Sequence, residues 1–128
     1  MFNNGRKEWM IKQVEQNGSL PCSDCSGMEV GYLRKFGYVD ANFDGSANTL
    51  CSNTYSVKIS RSDLKPGDWV GREGHIGTYV GGEYVVEFYG GAFGCQLTHV
   101  DAREGYDFIQ GKTVAGTKWT KFRDPRYY

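Results

Sequence analysis

Residues 75–89 read HIGTYVGGEYVVEFY, with the adjacent glycines Gly81 and Gly82 near the middle. Short runs rich in Val, Tyr and Phe on either side of a glycine-containing turn predict a β-hairpin of two antiparallel strands. Similar runs bounded by turn residues predict further strands at residues 67–72, 95–100, 106–109 and 119–123. The second half of the chain is therefore expected to form an antiparallel sheet.

The residues before about Ser60 are predicted to be helical. Residues 6–16 have an amphipathic pattern, and a short helix is also predicted over residues 44–51. Between them, a helix is predicted to begin at Cys25 and to end at Gly37, because apolar residues recur there at helical spacing. Helices followed by antiparallel strands define an α+β fold, with N-terminal helices packed on a C-terminal sheet.

Composition limits the size and the class of the protein. The chain has 128 residues, enough for one hydrophobic core, so we predict a single domain over residues 1–128. Lys and Arg balance Asp and Glu, and no basic stripe predicts nucleic-acid binding. No segment has the apolar run of a signal peptide or a membrane span. We expect a monomer that is made in the cytoplasm without a signal peptide.

The four cysteines are too few for a disulfide scaffold, and they include one CxxC pair, Cys22 and Cys25. A tetrahedral zinc site normally needs two such pairs, so we predict no metal and no other cofactor. Cys51 and Cys95 are expected to be buried thiols. Cys25 differs from them because it falls at a predicted helix start, where backbone N–H groups and the helix dipole favour a thiolate.

A cysteine nucleophile also needs a nearby imidazole and a third polar group that orients the imidazole. His75 begins the first strand of the predicted hairpin, and Glu87 lies on the second. A two-residue turn would place these two side chains on opposite faces. A three-residue loop of residues 81–83 would pair Val80 with Tyr84, and His75 and Glu87 would then be diagonal neighbours on one face. The catalytic hypothesis therefore predicts the three-residue loop.

Three blocks of this sequence resemble the NlpC-type cysteine peptidases, and they occur in the order found in that family. DCSG at residues 24–27 resembles the nucleophile motif, LKPGDWV at residues 64–70 the strand before the histidine, and GHIGTYVG at residues 74–81 the histidine strand. Glu87 stands twelve positions after His75, where the family has its third polar residue, and a glutamate there is typical of the related CHAP enzymes.

The resemblance implies a papain-like fold and an acyl-enzyme route on bacterial peptidoglycan, by an endopeptidase or an N-acetylmuramoyl-L-alanine amidase. Cys25 would attack a carbonyl of the stem peptide, His75 would transfer the proton, and Glu87 would orient the imidazole. The backbone N–H of Cys25 would help to bind the oxyanion. The protein would reach the wall after release or export, as a phage lysin or an effector does. The residues assigned to substrate binding are Asp24, Ser26 and Tyr89.

Other functions stay open at this point. An enzyme of the same kind could transfer acyl groups or cleave other amides. Cys22 and Cys25 could form a thiol-redox pair, although such a pair normally follows a strand within a βαβ unit, and none is predicted upstream. A binding module that keeps a degenerate site is the remaining alternative, against which the presence of both Cys25 and His75 argues.

Overall fold

The structure is a computed structural model, and it describes residues 25–89 and 93–127. Two helices come first in this part of the chain, α1 (Cys25–Lys35) and α2 (Ala47–Leu50), and a 3-10 turn spans Arg61–Asp63. Neither of these helices is long and apolar enough to cross a membrane. The strands are β1 (Val57–Lys58), β2 (Trp69–Arg72), β3 (His75–Gly81), β4 (Tyr84–Phe88), β5 (Cys95–His99), β6 (Glu104–Asp107), β7 (Lys112–Ala115) and β8 (Lys121–Asp124).

Six of the strands form one antiparallel sheet, and β6 and β7 form a separate hairpin. The order of strands in the large sheet is β1-β8-β2-β3-β4-β5. Strands β3 and β4 therefore lie inside the sheet, and α1 packs across both of them. The core between α1 and the sheet includes Val30, Leu33, Leu50, Trp69 and Ile76. Burying such apolar side chains is the main favourable contribution to folding.

The predicted β3–β4 hairpin is present, but its turn differs from the prediction. Gly81 pairs with Tyr84, so the loop has two residues, Gly82 and Glu83. Both have positive φ angles of 62° and 72°, as a type I′ turn requires. The predicted pairing of Val80 with Tyr84 is therefore wrong.

A β-bulge in β3 places His75 and Glu87 on the same face of the sheet, as the three-residue loop was expected to do. The register shifts by one residue between the pair at the turn, Gly81 with Tyr84, and the next pair, Tyr79 with Val85. Val80 has no partner in this register and is the extra residue of a bulge. One extra residue reverses the alternation of side chains along the rest of β3.

Helix α1 ends where the sequence predicts. Gly37 has a φ angle of 72° and its N–H donates to the Arg34 carbonyl, while the Tyr38 N–H donates to the Leu33 carbonyl. These two bonds form a Schellman motif, which needs a left-handed residue and so favours glycine. The face of α1 that is buried includes Leu33, whereas Phe36 is 56% exposed.

The predicted α+β fold, papain-like with N-terminal helices packed on a C-terminal antiparallel sheet, is wrong. The part of the chain that the structure describes is a small β-rich domain with eight strands and one helix longer than a single turn. The predicted helix over residues 44–51 is reduced to α2, and Val57 then pairs with Asp124 of β8. Local periodicity does not report this pairing because the two strands are far apart in sequence. The helix predicted over residues 6–16 lies outside the described residues.

Two glycine substitutions test the packing of β2. In Gly71→Ala, the new Cβ would lie 2.6 Å from the Cys51 Sγ, so we expect the free energy of unfolding to fall by about 1–3 kcal/mol. In the control Gly31→Ala, the new methyl group meets nothing within 4 Å and lies in the middle of α1, so we expect stabilisation by about 0.5–1 kcal/mol. Urea unfolding measures both. A Gly71→Ala protein as stable as wild type would show that β2 does not approach Cys51 this closely.

Candidate active site

Cys25 is the first residue of α1, as predicted for the nucleophile. Its side chain is partly buried and packs against the core, and its Sγ lies 3.8 Å from the Gly74 carbonyl oxygen. The first N–H groups of a helix have no carbonyl partner inside the helix, and they create a positive potential at its start. The backbone N–H of Cys25 belongs to this group. Asp24 and Cys22 lie outside the described residues, so their predicted roles stay predictions.

His75 connects Cys25 to Glu87. It is the first residue of β3, and its Nε2 lies 2.7 Å from Oε1 of Glu87. Burial lowers the pKa of His75, but hydrogen bonds with the Cys25 thiol and the Glu87 carboxylate outweigh this effect and leave the pKa above its ordinary value. Because Glu87 takes Nε2, the nitrogen that remains for the thiol is Nδ1. The imidazole therefore bridges a thiol and a carboxylate.

Glu87 is completely buried, which is unusual for a carboxylate. Its Oε2 accepts hydrogen bonds from Thr98 Oγ1 at 2.6 Å and from Arg103 Nε at 3.1 Å. Its Oε1 accepts from Arg103 Nη2 as well as from His75. Burial raises the pKa of Glu87, but the donors of His75, Arg103 and Thr98 lower it further, so the pKa lies below its ordinary value. The carboxylate is therefore ionised at neutral pH.

The β-bulge is what brings His75 and Glu87 together. With the bulge, the residue opposite Glu87 is Gly77, two positions from His75 on the same face of the sheet. A Cβ at Gly77 would lie 3.2 Å from the Glu87 Cβ and 2.7 Å from Val85 Cγ1. Glycine at this position therefore leaves the space that the two side chains use to meet.

Three residues of the site were not predicted for it. Thr98 and Arg103 bind the Glu87 carboxylate, and Trp119, which was predicted only as a packing residue, stacks on His75 with ring centroids 5.3 Å apart and planes at 10°. Arg103 lies in the irregular connection between β5 and β6. No local sequence pattern marks such a position. Of the three residues, only Thr98 could have been predicted, because it alternates with exposed neighbours along β5.

A cavity of about 340 Å³ opens beside Cys25. Glycine, serine and alanine form most of its wall. Asn48 stabilises one side, because its Oδ1 accepts from the Gly74 N–H at 3.0 Å and its Nδ2 donates to Glu73 at 2.8 Å. These bonds hold the turn before His75. The lining residues are Cys25, Ser26, Asp44, Gly45, Ser46, Ala47, Asn48 and Gly74.

The two described residues assigned to substrate binding lie in different places. Ser26 lines the cavity beside Cys25. Tyr89 instead contacts the far part of the site, with its ring centroid 6.4 Å from that of His75 and 4.7 Å from the Arg103 guanidinium carbon. Neither contact tests a role in substrate binding, and both assignments stay predictions.

A larger cavity of about 500 Å³ lies on another side of α1. Its walls are mainly apolar and include Tyr32, Trp69 and Val86, but neither Cys25 nor His75. We place the candidate site at the smaller cavity because Cys25 lines it, whereas His75 lines neither cavity.

The other described cysteines lack the setting of Cys25. Cys51 is buried as predicted, and burial raises its pKa to about 11, which keeps it a neutral thiol. Cys95 is exposed, so the prediction that it is buried is wrong. It lies on the edge strand β5, where alternate side chains point away from the core. Among the cysteines of residues 25–89 and 93–127, Cys25 is the one that raises the pKa of a neighbouring imidazole, that of His75.

Comparisons with known proteins do not assign the site to a family: no protein-family model and no curated protein matches the chain. The resemblance to the NlpC and CHAP enzymes therefore stays a prediction, and the case for a function rests on the residues and their geometry.

The raised pKa of His75 predicts how stability depends on pH. The favourable contribution of the protonated imidazole is fully present below the unfolded value of 6.5 and is lost as pH rises through the folded pKa. Glutamine carries no charge at any pH, so the loss of stability caused by His75→Gln should be larger at pH 6 than at pH 9. Denaturant unfolding at both pH values measures the difference, with His99→Gln as the control. A difference that grows toward pH 9 would contradict the assignment.

Proposed function

We propose that this protein is a cysteine hydrolase that cleaves a peptide or amide bond through an acyl-enzyme. The observation that carries this proposal is the chain of contacts from Cys25 at a helix start, through the His75 imidazole, to the buried carboxylate of Glu87. A nucleophile, its base and an orienting group in this order are the parts that acyl transfer requires.

The tautomer of His75 suits the role of a base. When Nε2 donates its proton to the Glu87 carboxylate, Nδ1 has a free lone pair that can accept the Cys25 proton. The ionised Glu87 then stabilises the imidazolium that forms. Trp119 stacks on the ring and limits its rotation. The bond to Glu87 and the stacking on Trp119 therefore fix the ring and leave Nδ1 available for the thiol.

The reaction follows from these positions. Nδ1 of His75 takes the thiol proton as the Cys25 Sγ forms a bond to the substrate carbonyl carbon, and the backbone N–H of Cys25 stabilises the oxyanion. The C–N bond then breaks, and His75 gives the proton to the leaving amine. Water attacks the thioester with His75 as its base, the C–S bond breaks, and the proton returns to the thiolate.

The proposed substrate is the stem peptide of bacterial peptidoglycan. Support for this class comes from the resemblance of residues 24–27, 64–70 and 74–81 to wall-degrading enzymes. The cavity beside Cys25 supports it as well, because glycine, serine and alanine walls leave room for a peptide backbone with small side chains. The bond cut would be a peptide bond or the amide between muramic acid and the peptide. The enzyme would meet its substrate after release or export from the cell that makes it.

Replacing the nucleophile tests the proposal. We expect the purified full chain to release peptides from purified peptidoglycan, and Cys25→Ala to abolish this release while the circular dichroism spectrum stays that of wild type. Mass analysis of the released fragments identifies the bond. The matched control is Cys95→Ser, which replaces an exposed cysteine outside the site and should keep full activity.

Two results would contradict the proposal. Release that survives Cys25→Ala would exclude Cys25 as the nucleophile. Turnover of other amides, or acyl transfer to an added amine, with no release from peptidoglycan would keep the cysteine chemistry but exclude the proposed substrate.

The orienting residue gives a separate prediction. Glu87→Gln keeps the size of the side chain but removes the charge that stabilises the imidazolium, so we expect kcat/KM to fall by about 100-fold or more. The variant should also unfold more easily, by about 3–5 kcal/mol, because Arg103 is left as a buried charge without its anion. Activity is therefore measured below the unfolding transition. Wild-type activity in the folded variant would show that Glu87 is only structural.

A further inference from the structure

Arg103 uses its whole guanidinium group on partners inside the protein. Nε and Nη2 bind the two oxygens of Glu87 at 3.1 and 2.5 Å, and Nη1 donates to the Thr117 carbonyl at 2.6 Å. The side chain is 4% exposed. A two-point bond between a guanidinium and a carboxylate fixes the plane of the carboxylate as well as its position.

Two aromatic rings hold the guanidinium in place. Its carbon lies 4.3 Å from the centre of the Trp119 ring and 4.7 Å from that of Tyr89. Both rings also contact the His75 imidazole. Arg103 and His75 are therefore enclosed by the same two rings, with Glu87 bonded to both, and the three side chains form one packed unit.

We infer that Arg103 is a positioning residue of this site: its guanidinium holds the Glu87 carboxylate in the orientation that His75 needs, and its positive charge limits how firmly the Glu87–His75 pair retains a proton. The catalytic part of this inference rests on the proposed function. The predicted titration of the Glu87–His75 pair does not, because it is measured on the protein without substrate.

The charges around the pair determine the sign of the effect. His75 and Glu87 share one exchangeable proton, so they titrate as a couple. Among the described residues, the ionisable groups that act on the couple are the Cys25 thiol and the Arg103 guanidinium, and Tyr89 presents its ring to both His75 and Arg103. With Arg103 present, the protonated couple puts two positive charges beside one negative charge. Removing the guanidinium removes this repulsion, so the couple should hold its proton to higher pH.

NMR titration of the His75 ring tests this directly. The chain has two histidines, and His99→Gln identifies the signals of His75. We expect Arg103→Gln to raise the pH at which the ring loses its proton by about one pH unit or more. Arg103→Lys keeps the positive charge and should shift the pH at which the His75 ring loses its proton by only a few tenths of a unit. Because Lys loses the two-point bond, kcat of this variant should still fall while KM changes little.

Arg123 supplies a matched control. Counted over the whole residue, Arg123 and Arg103 are each 7% exposed, but the partners of Arg123 are Ser56 and Asn53, away from the site. Arg123→Gln should destabilise the protein without moving the His75 titration. Equal shifts in the Gln variants of Arg103 and Arg123 would overturn the inference, because a general loss of packing would then explain both. An unchanged His75 titration in folded Arg103→Gln would overturn it as well.

A measurement on the wild-type protein covers the case in which Arg103→Gln does not fold. The ¹³C signal of the Glu87 carboxyl should titrate below the ordinary glutamate value of 4.5, and a midpoint at or above that value in the folded protein would overturn the inference. If the titrations behave as expected but peptidoglycan is not digested, the inference about Arg103 stands and the proposed function fails. The two outcomes are therefore distinguishable.

Discussion

The buried carboxylate of Glu87 is the group on which the arrangement of this protein depends. A carboxylate taken out of water costs several kcal/mol unless charged and hydrogen-bonded partners replace the water. Here the partners come from three separate parts of the chain: His75 on β3, Thr98 on β5 and Arg103 after β5. The carboxylate thus joins the central strands to the connection that follows them. A structure that misplaced any one of these segments would leave a charge buried without compensation.

The bulge in β3 is needed for the contact between Glu87 and His75. The tight turn at Gly82 and Glu83 twists the two strands in the sense that antiparallel strands prefer, but by itself it would direct Glu87 away from His75. The extra residue Val80 reverses the alternation, and Gly77 leaves the space between the two side chains. A one-residue slip would move every side chain of the strand to the other face. An irregularity of the backbone is therefore a requirement of the site.

The three described cysteines lie in different surroundings. Cys51 is more deeply buried than Cys25, and its raised pKa keeps it protonated. Cys95 is accessible but lies at a sheet edge. Cys25 combines partial exposure, a helix start and an electrostatic interaction with the His75 imidazole, whose Nε2 is bonded to the Glu87 carboxylate. The proposed role of Cys25 as a nucleophile therefore depends on its surroundings, since the thiol group itself is the same in all three residues.

The local features of the chain were predictable because they depend on neighbours in sequence. The helix from Cys25 to its stop at Gly37, and the hairpin of β3 and β4, follow from periodicity and from the conformations open to glycine. The three central residues of the site could be named because a cysteine at a helix start, a histidine on a strand and a glutamate on the next strand are a chemically meaningful set.

Other features were decided only by the tertiary structure. The fold class was wrongly predicted partly because residues 51–56 form turns and residues 57–58 pair as β1 with β8, whose residues lie more than sixty positions away. The turn was wrongly predicted because a bulge and a longer loop give the same alternation of side chains, and the sequence does not distinguish them. Arg103 was not predicted because its role comes from the burial of Glu87 beside it. Sequence by itself thus determined which groups were available for chemistry, and long-range packing decided which of them meet, because a contact between distant segments leaves no local periodicity.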